Sequence, residues 1–153
     1  MGDQGPQDFA QVINAAEREG WVTTMGLHLV RATRDEVVGE IEIRPIHHQA
    51  YGIVHGGVYA GIVETLASVG AAIDAFARGQ SVVGLENHTT FLRAVRSGKL
   101  QALAKPLTRG RRTQVWEGTV YDERGVAVAK GSVRLLVLDA GSQIAGEQVG
   151  IKP

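Results

Sequence analysis

Residues 58–73, VYAGIVETLASVGAAI, are the stretch that decides the fold of this chain. They are apolar on every side and rich in small residues, and a helix that is apolar all round is buried. Glu64 is the one side chain between His55 and Asp74 that is charged at neutral pH. Because an unpaired buried carboxylate is expensive, Glu64 must be paired, protonated or facing a cavity. We favour a cleft-facing Glu64 with a catalytic role over one that faces solvent or bonds a neighbouring backbone.

The turn His55-Gly56-Gly57 directly precedes this helix. Two glycines leave the first N–H groups of the helix open, and the positive end of the helix dipole would suit a developing oxyanion. A tight turn that needs unusual dihedral angles is the plainer alternative. At a rise of about 1.5 Å per residue, Glu64 lies roughly 10 Å from Gly57. If both act on one bond, they come from different copies of the chain, which predicts a dimer with composite sites.

Further out, the sequence predicts one helix and a hairpin before the central helix, and four strands after it. The first helix is predicted to open at Pro6 and end at Gly20, because Phe9, Val12, Ile13 and Ala16 form one apolar stripe. The hairpin runs from about Met25 to Arg44. Its second strand points Val37, Gly39, Ile41 and Ile43 to one face. The later strands are predicted at 81–94, 99–107, 113–121 and 126–139, with the last one central because it is nearly apolar throughout.

This order of elements predicts an α+β fold, in which a strongly curved antiparallel sheet wraps around one long apolar helix. The predicted organisation is a lead-in and helix at 1–20, one domain at 21–139 and a flexible tail at 140–153. A chain of 153 residues has the size of one domain. No internal repeat or linker interrupts it.

Composition excludes several classes of function. Cysteine is absent, which removes disulfides, thiolate nucleophiles and cysteine zinc sites and suits a cytoplasmic location. Sixteen Lys and Arg balance sixteen Asp and Glu, so nucleic acid and membrane surfaces are not expected partners. Glu64 and Asp74 interrupt the longest apolar run, and the polar, acidic N-terminus does not resemble a secretory signal. The five histidines match no ligand spacing, so no metal site is expected.

A basic run from Asn87 to Trp116 contains seven Lys and Arg residues and no Asp or Glu. Its cations are Arg93, Arg96, Lys99, Lys105, Arg109, Arg111 and Arg112. A solvated sheet face is one interpretation, and a site for phosphate groups is the other, with Arg111 and Arg112 on a turn as its best candidates. Nucleic acid is a poorer interpretation because no aromatic residues are interleaved and the overall charge is balanced.

Taken together, these residues resemble the hot-dog-fold acyl-CoA thioesterases. The resemblance is carried by Gln49, His55-Gly56-Gly57, Glu64, Ser68, Asn87-His88 and Gly110-Arg111-Arg112-Thr113. Within that group the PaaI type is most similar, including the Arthrobacter-type 4-hydroxybenzoyl-CoA thioesterase and the 1,4-dihydroxy-2-naphthoyl-CoA thioesterases. The resemblance extends from about residue 21 to residue 138.

The resemblance implies a double-hot-dog dimer, usually assembled as a tetramer, and roles for individual residues. Glu64 would be the catalytic carboxylate, as nucleophile or as base on water, with Ser68 assisting nearby. Gln49 would position the thioester beside His55, and the Gly57 N–H would polarise its carbonyl. Binding of substrate and coenzyme A would fall to Gly56, Asn87, His88, Arg93, Arg111, Arg112 and Thr113. No cofactor is implied beyond coenzyme A as part of the substrate.

The sequence therefore predicts an acyl-CoA thioesterase that acts on an aryl or medium-chain acyl group. One alternative is a hydroxyacyl-thioester dehydratase, in which His47 or His48 would act with Glu64. The proline which that group carries before the helix glycine is missing here, and the His-Gly-Gly turn with Gln49 fits a thioesterase better. The other alternative is a non-catalytic acyl-CoA-binding protein. Regulators of this type carry a DNA-binding domain, and the segment before Met25 is predicted to hold only one helix.

Overall fold

One 21-residue helix, α3 (Gly56–Phe76), packs against a six-stranded antiparallel sheet. The computed structural model describes residues 5–16 and 19–149. The elements before α3 are α1 (Ala10–Ala16), α2 (Trp21–Met25), β1 (His28–Ala32), β2 (Val37–Ile43) and a 3₁₀ turn (Pro45–His47). Those after it are β3 (Ser81–Phe91), β4 (Gly98–Arg109), β5 (Thr113–Tyr121), β6 (Ala127–Leu138), β7 (Gln143–Ile144) and β8 (Glu147–Gln148). The predicted α+β architecture is confirmed.

The strand order β1-β2-β4-β5-β6-β3 places β3 at one edge of the sheet. The chain leaves β2, passes through α3 and returns at the far edge, where β3 pairs with β6 alone among the described strands. β6 lies between β5 and β3, as its apolar sequence predicted. The buried positions of β2 are Val37, Gly39, Ile41 and Ile43, which confirms the predicted face.

The core lies between the sheet and the face of α3 that carries Ile62, Val63 and Leu66, all 0% exposed. Small residues of α3 allow large side chains to approach. The Trp116 ring of β5 lies against Gly70, where an added Cβ would overlap it. Burying a large apolar side chain contributes about 1.5–3 kcal/mol, so this packing stabilises the fold. By length and composition α3 could cross a membrane, contrary to the expectation from its two acids, but here it is the core helix.

The N-terminal helix differs from the prediction. α1 begins at Ala10 and not at Pro6, because the Asp8 carboxylate accepts the N–H groups of Ala10 and Ala32, both at 2.9 Å. These bonds start the helix and tie it to β1. Residues 17–18 lie outside the described part, and Gly20 precedes α2 instead of ending α1. In the predicted tail, β7 and β8 form a short hairpin, while the predicted domain boundaries remain predictions.

Candidate active site

The Glu64 carboxylate lies on the β3 side of α3, where Asn87 orients it. Asn87 Nδ2 donates to Glu64 Oε2 at 3.0 Å and to the Ala60 carbonyl at 3.0 Å. The Thr89 hydroxyl donates to Asn87 Oδ1 at 2.6 Å, so the amide of Asn87 is itself held in place. Glu64 is half-buried, and two elements distant in sequence determine its direction. This arrangement agrees with a cleft-facing carboxylate.

Gly84 is a site residue that the sequence analysis missed. A Cβ added at Gly84 would come within 3.0 Å of Glu64 Oε1, so the carboxylate lies directly against the bare backbone of β3. The register of β3 against β6 shifts between Gly84 and Glu86, which marks a bulge at this point. A glycine inside a strand pattern often signals a bulge or a close approach, and that signal was present in the sequence.

At the N-terminus of α3, Gly56 carries the free donor. His55 is the N-cap residue, and its Nδ1 accepts the Gly57 N–H at 2.8 Å, while the Val58 N–H bonds the His55 carbonyl at 2.9 Å. The Gly56 N–H has no partner among the described residues. Because His55 Nδ1 accepts, its neutral ring carries the proton on Nε2. The structure thus places an available donor one residue before the predicted Gly57.

A cavity of about 270 Å³ lies beside this free donor. Gln49 and Arg93 lie in its wall, so the structure brings together three predicted site residues at one place. Gln49 Oε1 accepts the Tyr51 N–H, which leaves the amide NH₂ of Gln49 able to donate. The full lining is Gln49, Ile53, Val54, Gly56, Tyr59, Phe91, Leu92, Arg93 and Ala94.

A second cavity, of about 370 Å³, lies on the other side of the helix N-terminus, where His55 and Gly57 form part of its wall. The Trp21 side chain from α2 lies against Gly61 at its edge, at a position where a Cβ would overlap the ring. The sequence analysis gave α2 no part in the site. The full lining is Trp21, Met25, Ile46, His48, His55, Gly57 and Val58.

Ser68 and His88, two further predicted site residues, differ in their position relative to Glu64. Ser68 lies one turn after Glu64 on α3, at a spacing of four residues that makes the two side chains neighbours. His88 lies next to Asn87 on β3, and since successive strand residues point to opposite faces, His88 points away from α3 and Glu64. Ser68 therefore shares a face of α3 with the carboxylate, whereas His88 lies on the other face of β3.

The basic run is acid-free in sequence but not in space. Strand β2, the turn before it and α3 supply acids to three of its cations: Lys99 pairs with Glu40, Lys105 with Glu36, and Arg109 with Asp35 and Asp74. Arg96 donates to the carbonyls of Tyr51 and Gly52. Among the described residues, the cations of this run whose side chains have neither an acid partner nor a hydrogen bond are Arg93, Arg111 and Arg112. Arg111 and Arg112 lie with Thr113 at the β4–β5 turn.

A buried polar cluster at the C-terminal end of α3 was not predicted. Asp74 is 3% exposed and bonds Arg78 at 2.8 Å and Gln114 at 3.0 Å. Two further arginines, Arg34 at 3.2 Å and Arg109 at 3.5 Å, pair with its other oxygen. Burial alone would raise the pKa of Asp74, but the hydrogen bond from Arg78 and the arginine charges outweigh it and hold that pKa below its usual range.

The histidines that the dehydratase alternative requires are engaged with backbone groups. His47 is fully buried, its Nδ1 accepts the Arg44 N–H at 2.8 Å, and its Nε2 bonds the Met25 carbonyl at 2.8 Å. His48 Nε2 bonds the Arg96 carbonyl at 2.7 Å. Both rings therefore hold the backbone of the segments around the loop between β2 and α3. The described residues contain no group of three or more side chains with metal-ligating chemistry.

Comparison with known proteins places the chain in a family. Residues 51–129 match the Thioesterase superfamily. A Mycobacterium tuberculosis protein with an esterase name, Rv1847, is 40% identical over 118 residues, covering 76% of this chain and 84% of that protein. The Klebsiella pneumoniae proofreading thioesterase EntH is 36% identical over 113 residues, covering 74% of this chain and 82% of EntH.

Comparison with solved structures leads to the same family. The structure of Rv1847 superposes with a TM-score of 0.76 at 39% identity, covering 78% of this chain and 96% of that one. The Haemophilus influenzae thioesterase HI1161 superposes with a TM-score of 0.80 at 28% identity, covering 85% and 90%. The chain therefore belongs to the Thioesterase superfamily. The hot-dog fold and the resemblance to PaaI-type thioesterases are confirmed.

Proposed function

We propose that this chain is an acyl-CoA thioesterase that hydrolyses an aryl or medium-chain acyl-CoA to the free acid and coenzyme A. Membership of the Thioesterase superfamily supports thioester hydrolysis as the type of reaction. The observation that carries the proposal is the Glu64 carboxylate, which Asn87 and the bare backbone at Gly84 hold in one direction. The free N–H of Gly56, at the N-terminus of α3, would stabilise the negative charge that develops on the carbonyl oxygen.

The chemistry begins with the thioester carbonyl in the cavity beside Gly56 and Gln49. Their N–H groups donate to the carbonyl oxygen and stabilise the negative charge that develops there. Glu64 then either attacks the carbonyl carbon or removes a proton from the attacking water. In both routes the C–S bond breaks, coenzyme A leaves as the thiolate and takes up a proton, and water supplies the hydroxyl group of the acid. Ser68 lies next to Glu64, where its hydroxyl would assist.

A homodimer formed through β3 would complete the site. Asn87, beside Glu64, and Phe91, beside Gly56, both lie on this edge strand, whose outer edge has no partner among the described strands. Leu85 and Phe91 are 51% and 55% exposed along it. Pairing β3 with the same strand of a second copy would bury this surface and bring both halves of each site to the interface.

The same pairing would supply a phosphate site. Within one chain, the β4–β5 turn with Arg111 and Arg112 adjoins the start of β3 through β6, whereas Gly56 adjoins the end of β3. Two-fold pairing of an antiparallel strand sets the start of one copy beside the end of the other. The arginines of one subunit would then approach the helix N-terminus of its partner and, with Arg93, bind the phosphates of coenzyme A.

A release assay with purified protein tests the proposal. Free coenzyme A is measured with a thiol reagent across benzoyl-, phenylacetyl-, naphthoyl- and straight-chain CoA esters. We expect hydrolysis of at least one ester with a kcat/KM of about 10⁴ M⁻¹s⁻¹ or more. Tight binding of an ester without release would favour the acyl-CoA-binding alternative, and hydration of an enoyl ester without release would favour the dehydratase.

Subunit mixing tests the composite site. A Glu64→Gln chain and a Gly56→Val chain lack different halves, so each is expected to be inactive alone. After mixed refolding, hybrid dimers should restore up to about a quarter of the parent activity, because half the dimers are hybrids and each recovers one of two sites. Hybrids that mass spectrometry detects but that remain inactive would place both groups in one subunit.

A further inference from the structure

The hydroxyl of Thr89 is a polar group beside the site to which the proposed reaction gives no role. Thr89 lies on β3 two residues after Asn87, so both side chains point to the face of the sheet that carries α3. The hydroxyl donates to Asn87 Oδ1 at 2.6 Å. Because that amide oxygen can only accept, the hydroxyl engages the end of the Asn87 amide that Glu64 does not use.

The two ends of the Asn87 amide therefore have complementary partners. Its NH₂ group donates to Glu64 Oε2 and to the Ala60 carbonyl, both at 3.0 Å, and its oxygen accepts from Thr89. In the opposite orientation, the amide oxygen would face a carboxylate and a carbonyl, neither of which can donate. The three hydrogen bonds thus determine one orientation of the amide, and that orientation directs a donor at the Glu64 carboxylate.

Water competes with this orientation, because Asn87 is exposed at the edge of the sheet, whereas Thr89 and Glu64 are half-buried. A hydrogen bond within the chain at the oxygen end of the amide opposes rotation of the Asn87 side chain towards solvent, at a modest net gain in free energy. Without the Thr89 hydroxyl, the amide would be free to turn out to water and to release the Glu64 carboxylate.

Gly131 on β6 provides the space that the Thr89 hydroxyl occupies. The two residues are paired directly across the strands, so side chains at these positions share one face. A Cβ added at Gly131, which is itself buried, would overlap the hydroxyl oxygen of Thr89. A glycine inside a strand often marks a close approach of this kind. The bare backbone of β6 therefore allows the hydroxyl to lie where it reaches Asn87.

We infer that Thr89 is a positioning residue: its hydroxyl, acting through the Asn87 amide, holds the Glu64 carboxylate in the direction that hydrolysis requires. This inference rests on the proposed function. Thr89 is outside the lining of both cavities, so it should affect the rate of the chemical step and leave substrate binding unchanged. Losing an interaction that is made only in the transition state lowers kcat and kcat/KM equally.

Two substitutions at Thr89 separate the effect of its hydroxyl from that of its shape. Thr89→Val keeps the branched shape and removes the hydroxyl, so kcat for the best CoA ester should fall by about three- to tenfold at unchanged KM. Thr89→Ser keeps the hydroxyl and should retain a kcat close to the parent value. Thr90→Val is the matched control, because Thr90 is the next residue on β3 and points to the opposite face. Melting temperatures check that every variant is folded.

A double-mutant cycle tests whether Thr89 acts through Asn87. Asn87→Ala should lower kcat by more than Thr89→Val does, and Thr89→Val should cause no further loss in that background. Additive losses, an unchanged kcat in Thr89→Val, or an equal fall in Thr90→Val would each overturn the inference while leaving the thioesterase intact. So would a kcat of Thr89→Ser as low as that of Thr89→Val. A wild-type protein that hydrolyses no ester would overturn the proposed function, and this inference with it.

Discussion

The two ends of α3 treat their polar groups in opposite ways. At the C-terminal end, Asp74 has every oxygen engaged, by Arg78 and Gln114 on one side and by Arg34 and Arg109 on the other. At the N-terminal end, the Gly56 N–H has no partner among the described residues. A saturated cluster contributes stability, while unpaired groups beside a cavity are available to a ligand. The contrast separates the part of the helix that maintains the fold from the part suited to chemistry.

Removing the Glu64 carboxylate should have the largest effect on activity. Glu64→Gln keeps the side-chain volume and the Asn87 contact, so the fold should persist while kcat falls by about 10²–10⁴-fold. Release of coenzyme A from the best ester measures the loss. Glu86→Gln is the matched control, because Glu86 lies on the same strand but pairs with Arg134 on the opposite face. Activity of Glu64→Gln within about tenfold of the parent would make Glu64 structural.

At the other end of the helix, Asp74→Asn should lower stability and not chemistry. It leaves three arginines around a neutral buried group, which we expect to cost about 2–4 kcal/mol in the free energy of unfolding. Urea unfolding measures this, and kcat of the folded fraction should stay close to the parent value. Asp35→Asn is the control, because Asp35 pairs with two of the same arginines but is half exposed, so it should cost less than about 1 kcal/mol.

Wild type and Asp74→Asn should also differ in how their stability depends on pH. The folded pKa of Asp74 lies below its ordinary value of 3.8, so the carboxylate contributes stability above that value and loses it as pH falls through the folded pKa. The stability difference between wild type and Asp74→Asn should be constant near neutral pH and shrink below about pH 4. A difference that stays unchanged down to pH 2 would contradict the depressed pKa.

Gly84→Ala should affect the site through the direction of Glu64. The new Cβ overlaps the end of a flexible side chain, so the carboxylate moves while the fold is retained. A displacement of about 1 Å can cost about 100-fold, and we expect a 10- to 100-fold fall in kcat with little change in KM. In the Glu64→Gln background the same change should add no further loss, whereas additive losses would indicate general damage to β3.

The smallest expected effect concerns the β4–β5 turn. Replacing Arg111 and Arg112 together by alanine should raise KM for a CoA ester by roughly tenfold and leave KM for an N-acetylcysteamine thioester nearly unchanged, because only the former carries phosphates. Arg124→Ala, on the exposed β5–β6 turn, is the control. Equal changes for both substrates would point to folding damage instead of a phosphate site.

The sequence pattern predicted correctly those features that depend on interactions between residues close together in the chain. The apolar helix, the six main strands and the exceptional position of Glu64 follow from spacing over a few residues. The start of α1 was wrong because Asp8 makes its cap together with a strand that lies more than 20 residues later. The basic run was partly misjudged because the acids that neutralise it lie on β2, in the turn before β2 and on α3, and the pairing of β2 with β4 is a long-range feature.

The sequence by itself determined that a glycine-opened helix would be buried and would carry one carboxylate, because helix periodicity and the cost of burying charge act within a single segment. Only the tertiary structure decided which groups stand beside that carboxylate and which donor is free. β3 crosses to the far edge of the sheet and brings Asn87 and Gly84 to Glu64, while the turn of His55 engages the Gly57 N–H and leaves that of Gly56. Those outcomes depend on strand order and on a single side-chain rotation, which no local pattern encodes.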